Sequence, residues 1–171
     1  MPYVATFEQW IPFPLERVFE FFGNPENLPR IMPRWMDVRV DHATMVDPPD
    51  APPGRKFAGE GSVVAVSFRP IPFLPLRAES DARIVAFEMN HLFEDTHSDA
   101  LFTSWHHRHE FLAEGRGGVG GTNARDVITY ELRFGPLSPL VNAFVVAGQM
   151  RRTFEYRQHV VERLLAEDRP A

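Results

Sequence analysis

The longest unbroken helical pattern in the chain lies at its C-terminal end. Ser138-Pro139 reads as an N-cap followed by a proline at the first helical position. From there to about Leu165, Leu140, Phe144, Ala147, Arg151, Phe154, Gln158, Val161 and Leu165 fall on one stripe, with Val141, Val145 and Gly148 beside it. At 1.5 Å per residue, this predicts a helix about 40 Å long. A helix that long with one apolar stripe needs a surface to cover.

The preceding residues supply that surface. Residues 3–11 lack Gly and Pro and read as a strand, which Pro12-Phe13-Pro14 ends. Leu15, Val18, Phe19 and Phe22 then fall at i, i+3, i+4 and i+7, a short helix stopped at Gly23. Asn24-Pro25 starts a second, irregular one carrying Leu28 and Ile31. From Trp35 the period becomes two. Met36, Val38 and Val40 alternate with Asp37, Arg39 and Asp41, and residues 54–68 form a further strand region beyond a proline-rich loop at 48–53. Strands at 76–88, 91–97, 100–112 and 122–134 follow, the last two joined by a flexible glycine-rich loop over 115–121. The apolar loop residues Ile71, Phe73 and Leu74 form either an entrance lid or a segment tucked onto the core. The order is β-α-α-β6-α, an α+β chain with helices segregated from an antiparallel sheet, and residues 1–171 read as one domain.

Composition narrows the chemistry. With no cysteine, disulfides, thiolate metal sites and a Cys nucleophile are excluded. A net charge of -5 is a poor footprint for nucleic acid or an anionic membrane. No run of 18 apolar residues predicts a spanning helix, and Met1-Pro2-Tyr3-Val4 lacks the basic and apolar regions of a signal peptide. The expected location is the cytoplasm. The 15 phenylalanines are to pack the core, with Phe93, Phe111, Phe134, Phe144 and Phe154 where sheet meets long helix.

The polar residues of interest lie on two strands. On 101–111, Leu101, Thr103, Trp105, His107, His109 and Phe111 share one face; Phe102, Ser104, His106, Arg108 and Glu110 share the other, largely charged and therefore wet. On 122–134, Asp126, Ile128, Tyr130, Leu132 and Phe134 share the inward face. His107, His109, Asp126 and Tyr130 are thus expected to converge, joined by Asp95 and less directly by Ser80. Three readings are open: a self-satisfied core network, polar groups lining a ligand cavity, or an acid–base or metal centre in which His-x-His presents two imidazoles and Asp126 or Asp95 a third ligand.

Gly115-Arg116-Gly117-Gly118-Val119-Gly120 matches G-x-G-x-x-G, but a strand follows where a dinucleotide fingerprint needs a helix N-terminus, so the match is rejected. Arg157 reads with Arg152, Glu155 and Glu162 as part of a solvated face. Arg151 lies on the apolar stripe, where it either enters the interior to hold a carboxylate or snorkels out from the edge.

Four segments carry a resemblance: Pro14-Leu15-Glu16-Arg17-Val18-Phe19-Glu20-Phe21-Phe22 with Asn24-Pro25-Glu26-Asn27-Leu28-Pro29-Arg30-Ile31; Ile84 through Phe87-Glu88 to Phe93-Glu94-Asp95; Trp105-His106-His107-Arg108-His109-Glu110-Phe111; and Asp126-Val127-Ile128-Thr129-Tyr130 with Phe134-Gly135-Pro136-Leu137 and Phe154-Glu155-Tyr156-Arg157. In this order they resemble the helix-grip fold of the START-like, or SRPBCC, superfamily, to which the birch-pollen allergen belongs, and within it the bacterial cyclase/dehydrase-like or ligand-binding branch. The resemblance implies a curved seven-stranded sheet around the last helix, with a cavity between them for a small hydrophobic, lipid- or polyketide-like ligand. It implies no cofactor and no metal. The expected ligand-binding residues are Phe73, Trp105, His107, His109, Asp126, Tyr130, Phe144, Ala147, Gly148 and Arg151. The alternative is a polyketide cyclase- or aromatase-like dehydratase, in which His107 or His109, oriented by Asp126, removes a proton alpha to a carbonyl while Tyr130 steadies the enolate.

Overall fold

The structure, a computed structural model, describes residues 2–71, 76–98 and 100–168. Seven strands form one antiparallel sheet: β1 (Tyr3–Ile11), β2 (Arg39–Thr44), β3 (Val63–Phe68), β4 (Ala78–Glu88), β5 (Leu92–Ser98), β6 (Phe102–Arg116) and β7 (Val119–Leu132). Their order in the sheet is β1-β7-β6-β5-β4-β3-β2. The strands consecutive at the start of the chain, β1 and β2, therefore occupy opposite edges. Between them run α1 (Leu15–Gly23) and α2 (Leu28–Ile31). After β7, α3 (Ser138–Val141), a π-helical turn (Asn142–Val146) and α4 (Ala147–Glu167) follow without a break. This is the expected helix-grip architecture.

The expected caps are partly realised. Pro14 O accepts from the N–H groups of Arg17 and Val18, opening α1, and Asn24 Oδ1 accepts from Glu26 N–H at 3.1 Å. Ser138 does not cap its helix. Its hydroxyl donates back to Leu132 O at 3.2 Å, tying the helix to the end of β7. Phe19 and Val18 are fully buried with Ile11, Phe111 and Val161 in one core cluster. A second cluster joins Ile128, Tyr130 and Leu132 of β7 to Met150 and Phe154 of α4. The β1 edge is closed on α4 by two amides: Gln9 donates to Gln158 O at 2.8 Å, and Gln158 donates to Glu8 O at 3.0 Å.

Four expectations change. Residues 115–121 are not a flexible loop: the β6–β7 ladder pairs Gly115 with Gly120 and Arg116 with Val119, leaving a two-residue turn. Gly117 and Gly118 there have φ of 57° and 80°, the left-handed geometry a tight hairpin requires. Trp35 and Met36 lie in a 3₁₀ turn rather than a strand, which Asp37 ends at φ 44°. Phe102 faces inward against Trp105 and Tyr130, because a bulge between Phe102 and Ser104 reverses the alternation there.

The fourth change is the phase of the last helix. Its buried residues in α4 are Met150, Thr153, Phe154, Arg157, Val160, Val161, Leu164 and Leu165. Phe144 is 82% exposed, Phe134 is 40% exposed and Arg151 is exposed. The buried stripe of α4 is centred on Met150, Phe154, Arg157, Val161 and Leu164, so Arg151 falls outside it; Leu140 and Phe144 lie before a π turn that breaks the 3.6-residue spacing, and Phe134 precedes the helices. Arg151 and Gln158 flank the buried stripe of α4, and Arg157 lies within it. Phe73 lies outside the described residues. Among the described residues, no helix is long and apolar enough to cross a membrane.

Candidate functional site

Alternation on the central strands places the site. β6 points His107 and His109 inward, where they pair in register with Ile128 and Asp126 of β7 and with Asp95 and Phe93 of β5. The outer face of β6 is polar as expected, with His106 and Arg108 both held by Glu94.

Inside, the polar groups form a chain. His107 Nε2 lies 2.9 Å from Asp126 Oδ1 in a hydrogen bond. His109 Nδ1 comes within 2.7 Å of the same oxygen, too poorly aligned for a good hydrogen bond. The other nitrogens of both rings face Asp95: His109 Nε2 at 3.3 Å and His107 Nδ1 at 3.8 Å from Oδ2. His97 Nε2 approaches the second Asp95 oxygen at 2.7 Å, and its Nδ1 contacts Ser80 Oγ at 3.0 Å. Arg157 closes the cluster from the helix, with Nη2 3.5 Å from Asp126 Oδ1 and its guanidinium over the rings of Phe22 and Phe154. Asp95, His107, His109 and Arg157 are buried, and the Asp126 side chain is 13% exposed. Phe93 stacks on His109 at 4.2 Å. One donor atom from each of Asp95, His107 and His109 lies within 4.8 Å of the other two, a set able to hold a metal ion.

The charges sort by position. Burial pushes His107 down, to about 4, helped by the charge of His109. Burial acts on His109 in the same direction, but its contacts with Asp126 and Asp95 outweigh it and raise its pKa. Asp126 is held well below the usual carboxylate range: burial alone would raise it, and the charges of Arg157 and His109 overcome that. Asp95 is lowered against the same burial by His109 and His97. Two carboxylates thus face two cations, His109 and Arg157, with His107 neutral and its proton on Nε2.

This assignment predicts the stability of chelator-treated protein against pH. In an unfolded chain both histidines titrate near 6.5. Below that value the unfolded state protonates both while the folded state protonates only His109, so stability falls as pH drops toward 4. Above it the folded state alone retains the His109 proton, so stability falls as pH rises through the raised pKa. The expected curve peaks near pH 6.5 and declines on both limbs, on the order of 1 kcal/mol per pH unit. Below about pH 4, protonation of Asp95 and Asp126 steepens the acid loss. Thermal melts between pH 4.5 and 8.5 check this, and a flat profile contradicts the charge assignment.

Tyr130 does not join the histidines. Its hydroxyl donates to Asn142 Oδ1 at 2.6 Å, and burial raises its pKa. Trp105 packs on the Tyr130–Phe154 cluster with Val141 and Val146. Its indole N–H is sealed from solvent without a hydrogen-bond partner. Ala147 and Gly148 are half-buried, and a Cβ on Gly148 would meet nothing within 4 Å. A surface depression of about 520 Å³ between Pro33, Trp35, Arg152, Tyr156 and Arg163 lies apart from the polar chain.

The sequence profile described as "Polyketide cyclase / dehydrase and lipid transport" matches residues 11–158. The chain belongs to this family. Its fold is shared by a protein from Thermus thermophilus, 17% identical with TM-score 0.65, over 98% of this chain and 100% of that one. Norcoclaurine synthase from Thalictrum flavum, 12% identical with TM-score 0.62, aligns over 98% of this chain and 88% of its own. Ginseng major latex-like protein 151 from Panax ginseng, 16% identical with TM-score 0.54, aligns over 88% and 96%. No curated protein sequence matches the chain. The family and fold place the chain among ligand-binding SRPBCC proteins.

Two site residues were missed by pattern reasoning. Arg157 carried a readable signal: it sits three residues after Phe154 and four before Val161, on the buried stripe once its phase is known. His97 shares the inward face of β5 with Asp95, two residues away, so alternation alone was enough to find it.

Proposed function

We propose that this protein binds a small hydrophobic ligand, lipid- or polyketide-like and bearing one oxygen acceptor, between the inner face of β6–β7 and the helical column around the π turn. The observation that carries the reading is the unpaired, buried N–H of Trp105. A buried donor without a partner costs about 1–3 kcal/mol, and a ligand carbonyl or hydroxyl recovers that loss. Apolar walls with one or two placed polar groups are the usual make-up of such sites. Tyr130, Val141, Val146 and Met150 supply the walls here. Leu137, Leu140, Phe144 and Val145 give this end of the column an exposed apolar rim. Norcoclaurine synthase of this fold is known with dopamine and hydroxybenzaldehyde bound. A small aromatic or acyl ligand in this chain agrees with that precedent.

Binding is preferred over the cyclase alternative because the geometry separates its parts. The Tyr130 hydroxyl is committed to Asn142, and both histidines to Asp126 and Asp95. The test is displacement of 1-anilinonaphthalene-8-sulfonate by oleic acid and by a hydroxylated anthraquinone, with native mass spectrometry for stoichiometry. Saturable one-to-one binding is expected for at least one of them. Trp105→Phe keeps an aromatic ring but removes the donor, and is expected to weaken binding roughly five- to 150-fold. No saturable binding of either probe, or unchanged affinity in Trp105→Phe, overturns the reading.

A further inference from the structure

We propose that Asp95, His107 and His109 form a binding site for a divalent transition metal, with zinc the expected ion, at the inner face of β5 and β6. The argument is geometric and independent of the hydrophobic ligand. The Asp95 Oδ2 distances to His109 Nε2 and His107 Nδ1 are 3.3 and 3.8 Å. Both exceed the 2.7–2.9 Å of a well-made charge-assisted hydrogen bond. They approach the edge of a tetrahedron built on metal bonds of about 2.0–2.1 Å, which is about 3.3 Å. Two imidazoles and one carboxylate, with a fourth position left for water, match the three-ligand pattern of open zinc sites.

The surroundings are those a metal site needs. A ligating histidine gives its second ring nitrogen to a carboxylate or similar acceptor, which fixes the tautomer. Asp126 does this for His107, whose Nε2 hydrogen-bonds its Oδ1 at 2.9 Å, and the same oxygen lies 2.7 Å from His109 Nδ1 without the alignment of a hydrogen bond. That leaves His107 Nδ1 and His109 Nε2 turned toward Asp95. The second oxygen of Asp95 lies 2.7 Å from His97 Nε2, whose other nitrogen contacts Ser80, without a hydrogen bond of its own. His107 thus has a hydrogen-bonded partner behind it, His109 and Asp95 have charged neighbours, and Arg157 offsets the charge of Asp126. Phe93 stacked on His109 and Phe154 edge-on to His107 wall off the rings.

Chelator-treated protein is titrated with zinc against a chromophoric chelator, and separately with cobalt. One zinc per chain at submicromolar affinity is expected, with the intense visible d–d absorption of tetrahedral cobalt. Asp95→Asn and His109→Gln are each expected to weaken zinc binding at least 100-fold. His106→Gln, on the outer face beside Glu94, leaves it unchanged. The cobalt spectrum of the unaltered protein keeps the test decisive if either inner variant fails to fold. Failure to compete with the chelator, an octahedral cobalt spectrum, or affinity that survives Asp95→Asn but drops in His106→Gln overturns the proposal.

Discussion

Replacing Arg157 with methionine is expected to destabilise the protein by about 3–5 kcal/mol, the range for stranding one member of a buried ion pair. Methionine retains most of the apolar stem between Phe22 and Phe154, so packing changes little. What is lost is the charge facing Asp126, a carboxylate whose side chain is only 13% exposed. His109 remains beside Asp126, yet it already answers Asp95. Adding Asp126→Asn to Arg157→Met removes the stranded charge, so the double variant should recover part of the loss, with a coupling of about 0.5–3 kcal/mol in the cycle. Urea denaturation measures all four proteins. A loss below about 1 kcal/mol in Arg157→Met shows that the pair is solvated and its charge balance unimportant.

The same residue shows what the sequence discloses and what it withholds. Strand alternation depends only on the two-residue repeat, so the inward placement of His107, His109, Asp126 and Asp95 was legible without coordinates. It failed at Phe102, where a bulge adds a residue and shifts the count by one. Helical phase accumulates in the same way over a longer span. A π turn at Asn142–Val146 separates Leu140 and Phe144 from the stripe of Phe154 and Val161, and nothing in the composition of Asn-Ala-Phe-Val-Val announces it. Arg151 and Arg157 both follow that turn on α4, and there the expected stripe was centred off the buried one, which took in Arg151 and left out Arg157. The seven-stranded sheet around the last helix followed from the family resemblance, whereas the pairing of His97 with Asp95 depends on side-chain rotamers that no periodicity encodes.

Phe19→Ala is expected to cost about 3–5 kcal/mol by a different route, the cavity left when a buried aromatic ring is removed. Phe19 is fully buried, with its ring at 5.3–6.1 Å from those of Phe111, Phe87, Phe93 and Phe57. It ties α1 to β6 and β5, and Phe93 in turn stacks on His109. Loss of Phe19 should therefore shift the His109 ring resonances although the two side chains do not stack on one another. The pH dependence of the two losses separates their causes. In Arg157→Met, Asp126 loses the cation that keeps its pKa low, so its folded pKa rises. As pH falls through that raised value the carboxyl protonates and no longer needs a partner, so the penalty shrinks toward acid. The penalty of Phe19→Ala involves no titrating group and should stay constant over the same range. Parallel denaturation series from pH 7.5 down to the lowest pH at which each variant stays folded measure both. A penalty for Arg157→Met that never shrinks over that range places its effect in packing, and a pH-dependent one for Phe19→Ala shows that the phenylalanine cluster tunes the charges behind it.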